Sequence, residues 1–388
     1  MPLTEKGLNA LNKIKEFYPH GKFTAKELSD ICGEKIVAAT LNGIANNGYI
    51  IKLGGSPVQY QAVDDLCDID FTDNSNKGST NTNMYKARNA KDDEFYTKFS
   101  DIEAEIMKYR KQFKNKIVYL PCDDPADKKS EFWSFFINNF DNFELKKLIA
   151  THYDTNGKAY KIWVEDDINH DGYIDDDDAL QEDLIGNGDF HNDECTEILK
   201  ECDIVVTNPP FSLFRDFVQW ILKENKQFLI IGNQNAFTYK DIFPLMRDKI
   251  IWTGYNMVKE FNRPDGTTQK FGNICWFTNL YTSKHDEPLI LTKSYYNASY
   301  KYLKYDNYDA INVDKVVDIP KDYDGVMGVP ITFLDKICFS QFELIGMSAS
   351  WDEVPQMKEI KTSSTNRHNP FLNGKEKYRR IFIRKNKK

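Results

Sequence analysis

A chain of 388 residues, 41% hydrophobic, 14% aromatic and 28% charged, has the balance of a folded globular protein and excludes wholesale disorder. No apolar run approaches the roughly 20 residues that span a bilayer, and the opening MPLTEKGLNALNKIKEF has no signal-like apolar stretch, so a cytoplasmic location is expected. The net charge is −8, but residues 165–183 alone hold ten acids and no Lys or Arg; removing those ten leaves the rest of the chain at +2.

Residues 1–65 read as a small domain. Leu8, Leu11, Ile14 and Phe17/Tyr18 recur at helical spacing until Pro19. A second helix opens at Thr24, with Glu27 placed to complete a capping box and Leu28 and Ile31 facing inward. A third is expected over 35–47, and Tyr49–Leu53 and Val58–Ala62 flank Gly54-Gly55-Ser56-Pro57 as a hairpin. Three helices and a hairpin resemble a winged helix. With Lys35 as the one base of its third helix, the unit suits DNA contact or protein docking about equally.

Residues 66–84 are polar and lack apolar period, which marks a linker. Beyond it, strand-like runs at 116–120, 148–151, 203–207, 228–232, 250–253 and 273–277 alternate with helix-like ones. That alternation predicts a catalytic core over 85–282: an α/β fold with a Rossmann-like, doubly wound parallel sheet covered by helices on both faces. Residues 283–388 follow as a C-terminal region, in which Met357–Lys388 carries eleven Lys/Arg against two Glu, suited to a polyanion or to a frayed basic tail. The seven cysteines (32, 67, 122, 195, 202, 275, 338) never form a Cys-x-x-Cys pair, which argues against disulfides and zinc.

In a doubly wound sheet, ligands lie beyond the carboxyl ends of the strands. Asn208-Pro209-Pro210-Phe211 directly follows the apolar run Ile204–Thr207. Two prolines fix φ, remove two donors and leave the Pro209 carbonyl free to point outward. With the Asn208 side-chain oxygen it can accept both hydrogens of one amine and so aim the nitrogen lone pair at an electrophile. Phe211 offers a face on which a base can stack.

The chain resembles the adenine-specific DNA methyltransferases of the EcoRI type. The likeness spans about residues 85–388 and is densest at 87–97, Tyr119–Pro125, Thr151–Asp154, Gly186–Phe190 and Thr207–Arg215, with further matches at Ile231–Ala236, Tyr305–Ile311 and Asp324–Pro330. The resemblance implies S-adenosylmethionine as methyl donor, duplex DNA as partner and an adenine flipped from the helix as substrate. A cognate restriction nuclease is a further partner that the sequence leaves open.

Carried over residue by residue, Asn208, Pro209, Pro210 and Phe211 form the catalytic loop. Phe95, Tyr96 and Thr97 surround the methionine part of the cofactor. Pro121, Cys122, Asp123, Asp124 and Pro125 stand where most methyltransferases carry a Gly-rich turn, a departure from the pattern. Asp154 is the candidate for the ribose hydroxyls, and Asp189 and Phe190 for the cofactor's adenine. Residues 283–388 are expected to read the target sequence. The chemistry demands positioning and electrostatics rather than a metal or general base.

A separate pattern, Asp167, Asn169, Asp171, Gly172, Tyr173, Asp175 and Asp178, fits the register of a calcium loop, with Asp where Glu is usual at the last position. A structural calcium ion is expected there, against the plainer reading of an acid-rich insertion without an ion. Two alternatives to DNA methylation share the main motif: methyl transfer to a glutamine amide in protein, and a DNA-binding regulator with an inactive methyltransferase domain.

Overall fold

The Thr24 and Glu27 spacing forms the capping box that it predicts: the Thr24 hydroxyl accepts the Glu27 N–H at 3.3 Å, and the Glu27 carboxylate accepts the Thr24 N–H at 2.7 Å. The structure, a computed structural model, describes residues 5–18, 22–33, 35–37, 40–41, 44–45, 49–54, 57–62, 96–123, 131–154, 158–263, 266–362 and 368–386, in two units, Met1–Glu94 and Phe95–Lys388. In the first unit, helix α1 (Glu5–Phe17) buries Ala10, Leu11 and Ile14. Strand β1 (Lys22–Thr24) leads into α2 (Ala25–Cys32), and β2 (Ile50–Gly54) and β3 (Gln59–Ala62) form a hairpin. The three strands pair antiparallel in the order β1-β3-β2 around Phe23, Leu28, Ile50 and Tyr60. Ile31 is half-buried rather than buried. Much of the helix expected over 35–47, the Leu8 side chain and the linker 66–84 lie outside the described residues.

The second unit is built on one nine-stranded sheet. Its elements, in chain order, are β4 (Tyr96–Thr97), α3 (Phe99–Ile106), β5 (Ile117–Leu120), α4 (Glu131–Asn138), β6 (Lys147–His152), β7 (Tyr160–Val164), β8 (Leu180–Asp183), α5 (Asp193–Glu201), β9 (Ile204–Thr207), α6 (Phe214–Lys223), β10 (Gln227–Asn233), β11 (Trp252–Asn262) and β12 (Thr268–Thr278). The order across the sheet is β4-β11-β12-β10-β9-β5-β6-β7-β8.

Only the central β6, β5, β9 and β10 run parallel; β7, β8, β12, β11 and β4 join antiparallel. The expectation of a parallel doubly wound sheet therefore holds for the centre and is corrected at both flanks. Apolar runs report burial, whereas direction depends on whether the chain returns through a crossover helix or a hairpin. The acidic segment is corrected too: its last four residues are the edge strand β8. All four are exposed, and charge at an edge discourages pairing with another chain.

Residues beyond 283 add a second sheet, β13 (Ile311–Asn312), β14 (Met327–Val329), β15 (Phe342–Met347) and β18 (Ile381–Lys385), with helix α7 (Pro355–Ile360) and the ribbon β16 (Phe371–Leu372) and β17 (Lys375–Glu376) between them. Its order is β13-β14-β18-β15. Met327, Phe342, Ile381 and Ile383 share one apolar core with Tyr119, Val205 and Phe228 of the nine-stranded sheet. The basic C-terminal stretch is no frayed tail, because β18 lies inside its sheet with Ile381, Phe382 and Ile383 fully buried. Several of its cations are committed to fold contacts: Arg380 to Asp314, Arg384 to Glu343 and Lys385 to Asp324. No helix among the described residues is long and apolar enough to cross a membrane.

Candidate active site

From β5 the chain winds to β6 on one side and, after the β7–β8 excursion, to β9 on the other. In an open α/β sheet, a ligand crevice lies beyond the carboxyl ends of the strands at such a reversal. Asn208 leaves β9 there, Pro121 leaves β5 one strand away, and Tyr153-Asp154 leaves β6 next to that. Asn233 ends β10 on the other side, where its carboxamide oxygen accepts from Asn273 Nδ2 at 2.9 Å.

The Asn208–Phe211 loop is clamped from below. Pro209 is buried, and Asn208, Pro210 and Phe211 are half-buried. The Pro210 carbonyl accepts the Leu213 N–H at 2.9 Å, closing a short turn that runs directly into α6. That helix buries Phe214, Phe217, Val218 and Ile221, the i, i+3, i+4, i+7 face expected of a helix lying on a sheet. Each such side chain contributes about 1.5–3 kcal/mol when fully buried. Phe214 lies flat against Gly232 of β10, where any Cβ would run into its ring. The residue at 232 thus sets how closely the loop-bearing helix approaches the sheet.

Phe211 meets two further rings. Its centroid lies 6.1 Å from Phe261 and 6.0 Å from Phe271, with interplanar angles of 85° and 87°, and those two rings are 5.6 Å apart. Such edge-to-face triads fix ring orientation, since each pair is worth about 0.5–1.5 kcal/mol beyond burial. Phe261 also stands opposite Thr97 across the β4–β11 ladder, so the segment Tyr96-Thr97 reaches the same end of the sheet as the loop. Thr97 is 2% exposed, and its hydroxyl has no hydrogen-bond partner among the described residues. Phe261 and Phe271 belong to the antiparallel β11–β12 hairpin and carry no motif, and the sequence reading missed them for that reason.

On the other flank, Asp123 is 2% exposed and its Oδ2 accepts the Trp133 N–H of α4 at 2.7 Å. The Thr151 hydroxyl, 2.9 Å from the Tyr119 hydroxyl, donates to the Pro121 carbonyl at 3.3 Å and ties the β5 turn to β6. Asp154 is half-buried, and its N–H donates to the Asn187 carbonyl at 3.0 Å. Gly188 makes this approach possible: its φ is +77°, and a Cβ there would strike the His152 carbonyl. Asp189 follows, with Oδ1 accepting the His191 N–H at 2.9 Å and facing His191 Nδ1 at 2.7 Å. The Phe190 ring is largely covered by His191, Phe217 and Trp220, which leaves little of its face for a ligand. The structure thus gathers Thr97, Pro121, Cys122, Asp123, Asp154 and Asn208 at one end of the sheet; Phe95, Asp124 and Pro125 lie outside the described residues.

The acidic loop is not part of this constellation. It leaves β7 and enters β8 at the opposite end of the sheet. The calcium expectation finds no support here: among the described residues no group of three His, Cys, Asp or Glu side chains is placed to hold a metal. Several of its oxygens accept from the loop's own amides, while Asp167 Oδ1 is buried with no hydrogen-bond partner among the described residues. Asp167 accepts from Gly172, Asn169 from Asp171, Asp171 from Tyr173 and Asp175 from Asp177, while Asp178, buried, accepts from Ile168, Asn169 and Asp175. Asp176 is the outward link, accepting from the Trp133 indole at 2.7 Å.

An Asn-Pro-Pro-Phe loop thus stands at a winding reversal of the sheet, its Phe211 ring held by two others. The family described as Adenine-specific methyltransferase EcoRI matches residues 83–386, and the chain belongs to that family. The Type II methyltransferase M.EcoRI of Escherichia coli is 41% identical over 338 residues, covering 80% of this chain and 98% of its own length. The Type II methyltransferases M.MpnI of Mycoplasma pneumoniae and M.MgeORF184P of Mycoplasma genitalium are 39% and 37% identical, each covering 77% of this chain and 97% and 98% of their own lengths. No solved structure matches the chain. The protein is accordingly an adenine-specific methyltransferase.

Proposed function

We propose that the chain transfers the methyl group of S-adenosylmethionine to the exocyclic N6 of an adenine in duplex DNA, with Asn208–Phe211 receiving the base. The observation that carries this reading is the position of the loop, directly beyond β9 at the winding reversal and backed by a buried helix. Asn208 Oδ1 and the Pro209 carbonyl accept the two amine hydrogens, and Phe211 stacks on the extruded ring. Family membership favours adenine over the glutamine amide, which the loop alone leaves open.

The residues fit the cofactor. The unpartnered, buried Thr97 hydroxyl and the carboxylates of Asp154 and Asp189 bring polar groups to both flanks of the crevice. In this assignment Tyr96 and Thr97 hold the methionine end, the Pro121–Asp123 turn its amino group, Asp154 the ribose and Asp189 the adenine amine. S-adenosylmethionine supplies a methyl already activated by a cationic sulfur, so the protein needs only to align the nitrogen with it and to shield the pair from water. The target base leaves its stack at a cost that Phe211 stacking and phosphate contacts offset. Residues 1–65 belong to this reading as a winged-helix-like domain, and 283–388 as the region that selects the target sequence.

The test is tritium transfer from labelled S-adenosylmethionine to unmethylated plasmid DNA, followed by nucleoside chromatography. Label is expected in N6-methyladenine, with Asn208→Ala reducing it below detection while still binding the cofactor. Label in another nucleoside, or full turnover by Asn208→Ala, refutes the reading.

A further inference from the structure

The β11–β12 hairpin runs past the end of β10, accompanied along its outer edge only by the short strand β4. β12 pairs with β10 only over residues 274–278, and β10 ends at Asn233, opposite Ile274. Residues 260–262 and 268–270 continue to pair with each other beyond that point, joined by a turn in which the Arg263 N–H donates to the Thr267 carbonyl at 2.8 Å. The overhang rises from the carboxyl end of the sheet, the end that carries the Asn208–Phe211 loop.

Its two faces differ. Strand alternation and register put Phe261, Gln269 and Phe271 on one face and Glu260, Asn262, Thr268 and Lys270 on the other. The first face grips Phe211. The second carries Glu260, 3.0 Å from Lys270 Nζ and 2.6 Å from Lys98 Nζ. The hydrogen bond from Lys98, with that from Lys270, holds the Glu260 carboxyl down at about 2, so it is fully ionised and already committed. Lys270 is 79% exposed, Lys259 is exposed in the bulge between Val258 and Glu260, and Thr267 and Thr268 are exposed at the tip. Lys98 and Lys270 thus bracket Glu260, with Asp101 also near Lys98, in a chain whose net charge is −8.

We propose that this projecting hairpin is a DNA-contacting arm: the exposed Lys259 and Lys270 take backbone phosphates beside the target adenine, while Phe261 and Phe271 hold the Phe211 ring against which that base stacks. Phosphate contacts from the arm's lysines and tip hydroxyls fix register without reading sequence. The arm joins duplex docking to base capture in one rigid element. It rests on the DNA-adenine reading above.

The experiment uses the full chain, tritiated S-adenosylmethionine and unmethylated plasmid DNA at several salt concentrations. Lys259→Gln/Lys270→Gln is expected to raise KM for DNA roughly tenfold and to reduce the slope of log binding against log salt by about 1–2, since each neutralised phosphate contributes about 0.9. Its kcat, its KM for the cofactor and its melting temperature stay near wild type, and Lys259→Arg/Lys270→Arg restores the salt slope. If the wild type methylates DNA and the Gln double variant keeps its KM and salt slope, the arm is refuted alone. A wild type that labels no DNA refutes the function reading and the arm together.

Discussion

The buried carboxylate of Asp123 accepts the backbone N–H of Trp133 at 2.7 Å, so the turn after β5 is pinned to the first turn of α4. First-turn amides have no partner within their own helix, and a side-chain acceptor supplies one. Asp123→Ala should therefore cost about 1–2 kcal/mol of stability, with Asp123→Asn recovering most of it. If the turn also holds the cofactor, KM for S-adenosylmethionine rises in Asp123→Ala more than kcat falls. Thermal unfolding and initial-rate kinetics on the two variants check both statements, and an unchanged melting temperature for the alanine variant would remove the capping role.

The ring triad predicts a separation of binding from turnover. Phe271→Leu keeps apolar volume but withdraws one of the two rings that orient Phe211. We expect kcat on DNA to fall about tenfold, by misplacement of the stacking surface, while cofactor affinity holds within twofold. Equal losses in both would show general disruption instead.

Gly232 is constrained by shape rather than by φ. Gly232→Ala pushes a methyl into the Phe214 ring, and overpacking of this kind costs about 1–3 kcal/mol. Because Phe214 lies three residues past the proposed base-receiving loop, activity should fall with stability. Trimming the ring in Gly232→Ala/Phe214→Leu should recover part of both, which denaturant midpoints and rates can follow.

Glu105 is fully buried under the bulge of β11. Oε1 accepts the Tyr255 N–H at 2.7 Å and the Tyr109 hydroxyl at 3.0 Å, and Oε2 accepts the Asn256 N–H at 2.7 Å and Asn256 Nδ2 at 2.9 Å. Burial raises its pKa, and the four donors offset this only in part. The native state therefore keeps this proton to a higher pH than the unfolded chain, where glutamate titrates near about 4.3. Its contribution to stability is complete below that value and is lost as pH rises through the folded pKa. Glu105→Gln cannot titrate, and whichever way its amide turns, an NH2 meets a backbone N–H. Denaturation across pH 4–8 should show a variant destabilised by about 1–3 kcal/mol at low pH, with the wild-type decline above the unfolded pKa absent. A parallel pH dependence in the two proteins would reject the assignment.

Much of the site was legible because its parts are contiguous. Asn208–Phe211 follows an apolar run, and a strand followed by a rigid polar turn is a local pattern that does not depend on what packs around it. The Thr24 capping box is local in the same way and forms as its spacing demands. The calcium register is less legible, because spacing fixes which oxygens exist but not how they are arranged in space, and among the described residues no metal-holding group of acids is assembled.

The sequence by itself determined the strand runs, the catalytic loop and the family, since each is written in consecutive or evenly spaced residues. Tertiary structure alone decided that β7, β12 and β4 run against the central strands, that the basic C-terminal stretch contributes the inner strand of a sheet, and that Phe211 meets Phe261 and Phe271. The last of these joins Phe211 to residues 50 and 60 positions away. No local period encodes them, because strand direction and ring contacts follow from which buried surfaces fit one another once the chain has closed on itself.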